Sequence, residues 1–290
     1  MGASTMKYYK DLDLTNFNAY RIHSLASEAY LPESESELIA LLSSFSECKF
    51  HLIGSGHNIV LSRSYYSCPF IILGSNYSGF SVANEKMYAL SGARMEDLAE
   101  HAAGCSLTGI EAFVDIPSSL GGAIVMNAGN AEMEISNVIN DVTFYCLESL
   151  ECKVFNCSEV AFGYRSSVFQ GDNSKVILSA NMYLQEGSQA DIVDAMAEIK
   201  RARWAKQPRE YPNCGSVFKR PPGYYVGTMI ESLGLKGATL GGAQISCKHA
   251  GFIVNKGGAT GADILGLIEL AQAKVYAEYG VELEVEQRVI

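Results

Sequence analysis

Short apolar segments separated by polar turns run along the whole chain, and their spacings predict strands mixed with helices. Compact apolar runs predict buried strands at 50–53, 59–61, 70–73, 87–90, 176–184 and 250–254. Apolar residues three and four apart predict helices at 34–44, 95–103, 189–204, 228–233 and 262–279. Alternating residues predict an opening strand over 21–31, a hairpin over 142–159, and strands at 216–218 and 282–290. The sequence therefore predicts the α+β fold class.

A basic segment closes the helix predicted at 189–204, and a boundary between two regions is expected there. The segment 200–206 holds two lysines and two arginines. We expect one region over 1–190, itself divided near residue 75, and a second region over 191–290. Each region has its own site-like loops, and the sequence shows no repeat of 20–50 residues.

Composition narrows the classes of function. The 290 residues carry a net charge of −10, which argues against nucleic-acid binding, because phosphates require clustered cations. The amino terminus has no apolar signal segment and no apolar run approaches about 18 residues, so we expect a cytoplasmic protein that contacts no membrane. The eight cysteines lack zinc-type spacing, so we expect no metal and mostly buried, reduced thiols.

Two glycine-rich loops indicate an anionic ligand. The segment Gly-Ser-Gly-His-Asn spans 54–58 after an apolar strand, and a second loop spans 116–129. Glycines allow backbone N–H groups to approach a phosphate. Each loop alone is equally consistent with a tight turn, and His57 with an exposed loop histidine. Together they suggest several cradles for a long dinucleotide such as FAD, although neither matches a Rossmann or Walker pattern.

Three polar features carry candidate chemistry. Ser216 lies in a small loop before Lys219 and Arg220, which is typical of a proton donor beside an anionic substrate, or of a turn before a basic edge. Arg165 suits a bidentate clamp on a carboxylate or enolate, or a structural ion pair. The carboxylates at 282, 284 and 286 alternate on one face of the predicted strand, most typically a solvated face, and alternation does not select among them.

Taken in order, these segments resemble the UDP-N-acetylenolpyruvoylglucosamine reductases (MurB) of bacterial cell-wall synthesis. The motifs that carry the likeness span nearly the whole chain: 18–22 (Asn-Ala-Tyr-Arg-Ile), 54–58, 109–111 (Gly-Ile-Glu), 116–129, 162–169 (Phe-Gly-Tyr-Arg-Ser-Ser-Val-Phe), 206–208 (Lys-Gln-Pro), 213–221 (Asn-Cys-Gly-Ser-Val-Phe-Lys-Arg-Pro) and 248–255 (Lys-His-Ala-Gly-Phe-Ile-Val-Asn). The last three are the most specific. The compact stretch between Arg165 and Lys206 is similar to the shorter type of the family, which lacks a tyrosine-bearing loop.

The chain departs from the family pattern at three places. His57 stands where the family more often has serine. Asp115 and Ser118 replace more usual glycines around the second loop. The residues at 130–133 replace a usual small-aromatic-glycine continuation.

The resemblance implies a FAD-binding fold of the vanillyl-alcohol-oxidase (PCMH) type over 1–190, followed by an α+β substrate-binding domain over 191–290. It also implies a flavoenzyme that reduces the enolpyruvyl ether of UDP-N-acetylglucosamine to UDP-N-acetylmuramate. Hydride would pass from NADPH to FAD, and then to the enolpyruvyl β-carbon. We therefore expect a monomer that binds FAD, NADPH and the UDP-sugar enolpyruvate, and binds neither nucleic acid nor membrane.

Roles for individual residues follow from the same resemblance. Ser216 is expected to protonate the intermediate, and Arg165 and Glu286 to stabilise it. Glu286 is chosen because the family's glutamate lies four residues before the isoleucine at 290. Substrate contacts are expected at Tyr164, Lys206 and Arg220. Cofactor contacts are expected at Gly54, Ser55, Gly56, His57, Asn58, Pro117, Ser118, Ser119, Gly121, Gly122, Asn127, Gly129 and Arg203.

Two other functions are open on the sequence alone. A different flavoprotein oxidase or dehydrogenase of the same fold would keep both glycine-rich loops without needing Ser216, Arg165 and Glu286. A noncatalytic module that binds FAD or a UDP-sugar would also keep the loops, but the presence of all three residues argues against it. Cys214, close to Ser216, is expected to be a small apolar filler.

Overall fold

The computed structural model describes residues 6–46, 48–130 and 132–290. Residues 1–5 lie outside those ranges, and the predicted absence of a signal segment rests partly on them. Ala131, one of the residues at 130–133 that depart from the family pattern, also lies outside them. The chain divides into two compact units. Of the described residues, the first unit holds 6–10, 28–55 and 68–202, and the second unit holds 11–27, 56–67 and 203–290. The domain bounds expected near residues 75 and 190 remain a prediction.

The described residues form six α-helices. Their bounds are α1 Glu35–Ser44, α2 Met95–Gly104, α3 Leu120–Met126, α4 Gln189–Lys206, α5 Val226–Ser232 and α6 Gly261–Tyr279.

The same residues form seventeen strands, most of them short. They are β1 Lys7–Asp13, β2 Leu25–Leu31, β3 His51–Ile53, β4 Ile59–Val60, β5 Tyr65–Tyr66, β6 Phe70–Ile72, β7 Phe80–Ala83, β8 Lys86–Leu90, β9 Leu107–Thr108, β10 Ile139–Cys146, β11 Glu151–Asn156, β12 Lys175–Tyr183, β13 Gln185–Glu186, β14 Thr239–Leu240, β15 Ala243–Ile245, β16 Ile253–Asn255 and β17 Arg288–Val289.

An antiparallel sheet of order β11-β10-β12-β8-β7 dominates the first unit. Its central strand, β12, is buried continuously from 176 to 180, because both of its faces are covered. The edge strand β11 is exposed and carries Lys153, a charge that discourages pairing with another chain. Buried residues of β8, β10 and α2, among them Met87, Phe144 and Leu98, form the core beside this sheet.

A short parallel arrangement supports the first glycine-rich loop. In the first unit, β6 pairs with β3 on one side and with the end of β2 on the other. All three residues of β6 are buried, as expected for a strand with two neighbours. Helix α1 covers this region with Leu38 and Leu42, and its amino end is capped by Ser34, whose hydroxyl accepts the Glu37 N–H at 3.2 Å. The loop 54–58 begins where β3 ends.

The second unit is assembled from three separate stretches of chain. Strands β14, β15 and β16 form an antiparallel sheet, on which α6 packs. A capping box starts α6, in which Thr260 accepts from the N–H of Asp263 and the carboxylate of Asp263 accepts from the N–H of Thr260. Near the carboxyl end, β17 runs parallel to β4 and pairs Arg288 with Ile59.

Most predicted elements are confirmed, but four predictions are wrong in part. The strand predicted at 250–254 spans Ile253–Asn255. The opening strand begins at Leu25 and not at residue 21, because Asn18 binds the carbonyls of Leu14 and Ile22 and folds 18–22 into a tight turn. The segment 282–290 pairs as a strand only at Arg288–Val289. Residues 216–218 form isolated bridges and not a continuous strand.

The cysteines correct a further expectation. All eight are free thiols, but Cys146 and Cys214 alone are buried. Four are exposed, namely Cys48, Cys105, Cys152 and Cys247. The prediction of mostly buried thiols is therefore wrong. Among the described residues, no helix has the length and apolar character needed to cross a membrane.

Candidate active site

Within the first unit, the two glycine-rich loops meet although about sixty residues separate them. The backbone N–H of Ser119 donates to the hydroxyl of Ser55 at 3.1 Å. Gly54 lies so close to Ser119 that a Cβ added to Gly54 would be 2.2 Å from the Ser119 hydroxyl oxygen. Only a residue without a side chain permits this approach. The pairing of the loops, which the sequence could only suggest, is thus a direct contact.

The second glycine-rich segment is not a loop throughout, because it contains helix α3. Ser119 caps α3 by accepting from the N–H of Gly122 at 3.4 Å. The N–H of Leu120 donates to the carbonyl of Ala93 at 2.8 Å, and the N–H of Gly121 to the carbonyl of Ser91 at 2.7 Å. Consecutive glycines disfavour a helix. Here the serine cap and the burial of Leu120 outweigh that preference.

The residues around these loops fit a cofactor such as FAD. Gly122 is exposed, and the nearest atoms to its added Cβ are serine hydroxyls at 3.3 and 3.4 Å, so the loop presents backbone to a ligand. Ser91, which is 3% exposed, has a hydroxyl with no hydrogen-bond partner among the described residues. A buried polar group without a partner is rare in native proteins. Pro117 is exposed and Ser118 half-buried beside it, consistent with the contacts expected there.

The contact between the loops yields a prediction. Gly54→Ala is expected to weaken FAD binding about tenfold, equivalent to about 1.4 kcal/mol, because Ser119 must move away from the new methyl group and disturb both its contact with Ser55 and its helix cap. The flavin content of the purified protein, and its retention on dilution, measure the effect. Adding Ser119→Ala to Gly54→Ala removes the nearest oxygen and should restore part of the affinity. Unchanged flavin binding in the single variant would show that the loops tolerate separation.

The remainder of the first loop belongs to the second unit. The carbonyl of Gly56 accepts from the N–H of Ala19 at 2.9 Å. The side-chain N–H of Asn58 donates to the carbonyl of Glu286 at 3.2 Å. His57 is half-buried between them. These contacts tie the loop to the turn at 18–22 and to the carboxyl-terminal segment, so Gly56 and Asn58 have a structural function whether or not they touch a cofactor.

Arg165 occupies the tip of a tight turn in the first unit. Gly163 and Ser166 exchange backbone hydrogen bonds at 3.0 and 3.2 Å, and Arg165 between them has a left-handed φ of 52°. That conformation favours glycine, so Arg165 adopts an uncommon backbone geometry at the tip of the turn. The guanidinium lies 5.4 Å from the ring of Tyr164, which is exposed.

The side chain of Arg165 reaches back to the second loop. Its Nη2 donates to the carbonyl of Gly129 at 2.9 Å, and its Nη1 to the carbonyl of Asn127 at 3.3 Å. Glu134, which the sequence reasoning missed, lies 3.8 Å from Nη1 and accepts from the Asn127 side chain at 2.8 Å. The structure therefore brings three predicted residues, Asn127, Gly129 and Arg165, into one cluster. Glu134 completes this cluster, and the only sequence signal for it is its position next to residues 130–133, which depart from the family pattern.

The Ser216 loop is held on both sides by backbone contacts in the second unit. Ser216 forms an isolated antiparallel β-bridge with Phe252, and the N–H of Val217 donates to the carbonyl of Gly251 at 3.0 Å. On the opposite side, the N–H of Glu286 donates to the carbonyl of Val217 at 2.8 Å. The hydroxyl-bearing residue itself is exposed. Ser216 and Glu286 are thus carried by neighbouring segments of one unit.

Glu284 and Glu286 differ in a way that alternation could not reveal. The Glu284 side chain is 70% exposed and forms an ion pair with Lys219 at 2.7 Å. Glu286 is half-buried. Lys219 therefore has a carboxylate partner within the second unit. The bridge from Phe218 to Val285 fixes this register.

Cys214 is an inert group beside the proposed proton donor. Its Sγ lies 3.3 Å from the carbonyl of Ile59 and is enclosed by the fold. Burial raises the pKa of the Cys214 thiol to about 12. The thiol is therefore protonated near neutral pH, which confirms its assignment as a filler.

The predicted cations lie on different segments. Arg203, in the last turn of α4, donates through Nη2 to the Gln207 side chain at 3.3 Å. Lys206, which ends the same helix, is exposed. Arg220 lies over the ring of Tyr225 at 3.8 Å and donates to the carbonyl of Tyr224 at 3.2 Å. These contacts place Arg203 and Arg220, and the binding of the substrate's diphosphate by Lys206 and Arg220 remains a prediction.

The described residues contain no group of three or more histidine, cysteine or acidic side chains able to hold a metal ion. The candidate chemistry lies instead in two other clusters of residues. In the first unit, the joined loops lie with Arg165. In the second unit, Ser216 lies with Glu286.

Comparison with known proteins identifies the family. Residues 27–146 match the FAD binding domain, and residues 207–290 match the carboxyl-terminal domain of UDP-N-acetylenolpyruvoylglucosamine reductase. The UDP-N-acetylenolpyruvoylglucosamine reductase of Francisella tularensis is 37% identical over 281 residues, covering 96% of this chain and 99% of the relative. The enzyme of the same name from Pediococcus pentosaceus is 41% identical over 261 residues, covering 89% and 86%.

Solved structures agree on the fold. The UDP-N-acetylenolpyruvylglucosamine reductase (MurB) of Thermus caldophilus superposes with a TM-score of 0.81 at 28% identity, covering 98% of both chains. The glucose dehydrogenase Phl p 4.0202 shares the fold alone, with a TM-score of 0.51 at 12% identity over 63% of this chain and 42% of that one. The predicted α+β class and FAD-binding fold of the PCMH type are confirmed. The chain belongs to the FAD-dependent UDP-N-acetylenolpyruvoylglucosamine reductases.

Proposed function

We propose that this chain uses NADPH to reduce the enolpyruvyl ether of UDP-N-acetylglucosamine to UDP-N-acetylmuramate, a precursor of peptidoglycan. The observation that carries the proposal is the second-unit cluster, in which an exposed serine lies on a loop tied by backbone hydrogen bonds to the segment of Glu286. A different flavoprotein would need the glycine-rich loops but not this pair.

Ser216 supplies the proton in this proposal. FAD, when bound and reduced by NADPH, would supply the hydride for the β-carbon of the enolpyruvyl group. Negative charge then develops next to the substrate carboxylate, and the Ser216 hydroxyl protonates the α-carbon. A serine hydroxyl is a weak acid, so its fixed position and the groups around it must favour the transfer. Ser216 is exposed, so a ligand can approach this residue.

Arg165 and Glu286 stabilise the charge that develops during the reaction. The Arg165 guanidinium is permanently charged and its side chain is only 18% exposed, so its field is less screened than that of a surface arginine. Hydrogen bonds to the carbonyls of Asn127 and Gly129 fix its orientation. A cation held in place before the reaction stabilises an enolate without reorganisation. Glu286 is proposed to act with it as a protonated carboxyl group that donates a hydrogen bond, because an ionised carboxylate would repel the developing negative charge.

Residues that hold the substrate are proposed from their charge and exposure. Lys206 and Arg220 are assigned to the diphosphate, and exposed Tyr164 to a further substrate contact. Arg203, Gly54, Ser55 and the second loop are assigned to FAD. We also propose that the protein acts as a monomer in the bacterial cytoplasm and binds neither nucleic acid nor membrane.

A spectrum of the purified protein tests this function. The protein is expected to show flavin absorbance that is lost when NADPH is added without oxygen, and that returns when the enolpyruvyl substrate is added. UDP-N-acetylglucosamine, which lacks the enolpyruvyl group, is the matched control and should leave the flavin reduced. A colourless protein that binds no added FAD would contradict the proposal. Reoxidation by oxygen alone, with no response to the substrate, would favour a different oxidase.

A further inference from the structure

One buried side chain gathers the backbone of the Ser216 loop. Nε2 of Gln287 lies 3.2 Å from the carbonyl oxygen of Cys214, 3.5 Å from that of Gly215 and 3.3 Å from that of Ser216. Gln287 is 3% exposed, so water does not compete for these contacts. Three successive carbonyls can converge on one donor because Gly215 has a left-handed φ of 75°. The loop is thus organised around a single amide.

Tyr20 fixes which end of that amide faces the loop. Its hydroxyl donates to Oε1 of Gln287 at 3.0 Å, and the tyrosine is fully buried. Burial raises the pKa of Tyr20 well above its ordinary value, so the phenol keeps the proton that it donates. Since carbonyl oxygens can only accept, the NH2 group must face them. In this orientation Oε1 accepts from Tyr20, and the two N–H donors face three carbonyls, so one donor is shared between carbonyls.

Asn255 in turn holds the backbone of Tyr20. Its Nδ2 donates to the carbonyl of Tyr20 at 2.7 Å, while its Oδ1 accepts from the N–H groups of Gly257 and Ala259 at 2.9 and 3.1 Å. The residues of this chain of contacts lie in the second unit, within the turn at 18–22, the end of β16 and the carboxyl-terminal segment. Buried polar networks in which every member is satisfied restrict a structure to one arrangement.

We propose that Gln287 is a positioning residue that sets Ser216 for proton transfer, with Tyr20 as its support. The inference rests on the role proposed for Ser216. Gln287 directly follows Glu286, whose N–H already donates to the carbonyl of Val217. Two consecutive residues therefore hold the loop, one through the backbone and the other through a side chain. Together they fix the spacing between the proposed proton donor and the proposed stabilising carboxyl group.

Breaking the network moves the hydroxyl without removing it. Gln287→Leu removes the donor from three loop carbonyls and leaves the buried Cys214 carbonyl and Tyr20 phenol without this partner, so the loop is expected to shift to find new hydrogen bonds. A displacement of about 1 Å at a reacting group lowers a rate about a hundredfold. Tyr20→Phe removes only the hydroxyl that orients the amide, and the ring remains to fill its buried site. Its effect should be smaller and its risk to folding lower.

The two half-reactions measure the inference separately. In stopped-flow experiments on the FAD-loaded enzyme, Gln287→Leu is expected to slow substrate-driven flavin reoxidation about a hundredfold, and Tyr20→Phe about tenfold. Flavin reduction by NADPH, which does not need Ser216, should stay within about twofold in both. Gln272→Leu is the matched control, because its Nε2 also donates to a backbone carbonyl of the carboxyl-terminal segment, Leu283 at 2.9 Å, away from the loop.

The outcomes show separately whether this inference fails or the proposed function fails. Equal slowing in Gln272→Leu, or equal loss of both half-reactions in Tyr20→Phe, would reduce Gln287 to a structural residue and overturn the inference. Normal reoxidation in both network variants would overturn it as well, while leaving the function intact if Ser216→Ala is slow. An unmodified enzyme that shows no substrate-driven reoxidation would instead refute the proposed function.

Discussion

Replacing Ser216 with alanine is expected to leave the reduction of FAD by NADPH unchanged and to slow substrate-driven reoxidation about 10²- to 10⁴-fold, the range typical of a lost general acid. The hydroxyl is proposed to protonate the α-carbon, and an alanine at this position offers no proton. Because Ser216 is exposed, the substitution should change the free energy of unfolding by less than about 0.5 kcal/mol. Anaerobic stopped-flow absorbance of the flavin measures the two half-reactions, and thermal unfolding measures stability.

Ser64→Ala is the matched control for this variant. Ser64 is also an exposed serine of the second unit, and it lies outside every proposed contact. It should retain both half-reactions. If Ser216→Ala retains both as well, the proton comes from another group and Ser216 has been wrongly assigned. If both half-reactions are lost together with the thermal transition, the variant reports on folding and a Ser216→Cys enzyme must show whether another proton-bearing side chain restores the second half-reaction.

Replacing Arg165 with methionine is expected to lower the rate of substrate-driven reoxidation about 10²- to 10³-fold, comparable to the removal of one preorganised donor from an oxyanion site. The guanidinium is the only group of that turn with a permanent charge, and it is held against the carbonyls of Asn127 and Gly129. Arg165 also keeps a left-handed backbone conformation that costs about 1–3 kcal/mol in a residue other than glycine.

Arg165→Lys separates charge from geometry. Lysine keeps the positive charge but cannot donate to two carbonyls through one rigid fork, so its rate should lie between those of the methionine variant and the original enzyme. The flavin content must be measured in parallel, because Arg165 contacts the second loop. A methionine variant with a normal reoxidation rate and normal flavin content would show that the charge is not needed.

The short loops that could carry chemistry were identified from the sequence, and their roles remain predictions. Glycines at 54 and 56, the serines near 118 and the hydroxyl at 216 are local signals, because each depends on residue types that stand next to each other. The choice between Glu284 and Glu286 shows the limit of such signals. Both fit the same alternation, and only the structure gives one of them an ion pair with Lys219 and the other a half-buried position.

Contacts between distant residues could not be predicted in the same way. Tyr20 and Gln287 are 267 residues apart, and neither belongs to a pattern that indicates a buried hydrogen bond. Glu134 completes the Arg165 cluster from a segment that departs from the family pattern. Helix α3 was missed for a different reason, since the low helix propensity of consecutive glycines is local, whereas the burial of Leu120 that outweighs it is tertiary.

The parallel pairing of β17 with β4 has a consequence for folding during synthesis on the ribosome. Strand β4 emerges early in synthesis, yet its partner, Arg288–Val289, is made after more than two hundred further residues. The main sheet of the first unit, by contrast, is complete once Tyr183 has been added. Since chains fold as they leave the ribosome, the first unit can fold before the second unit has its last strand, β17. A chain interrupted before Glu286 would expose the Ser216 loop without its supporting segment, and cellular proteases are expected to remove it before it accumulates.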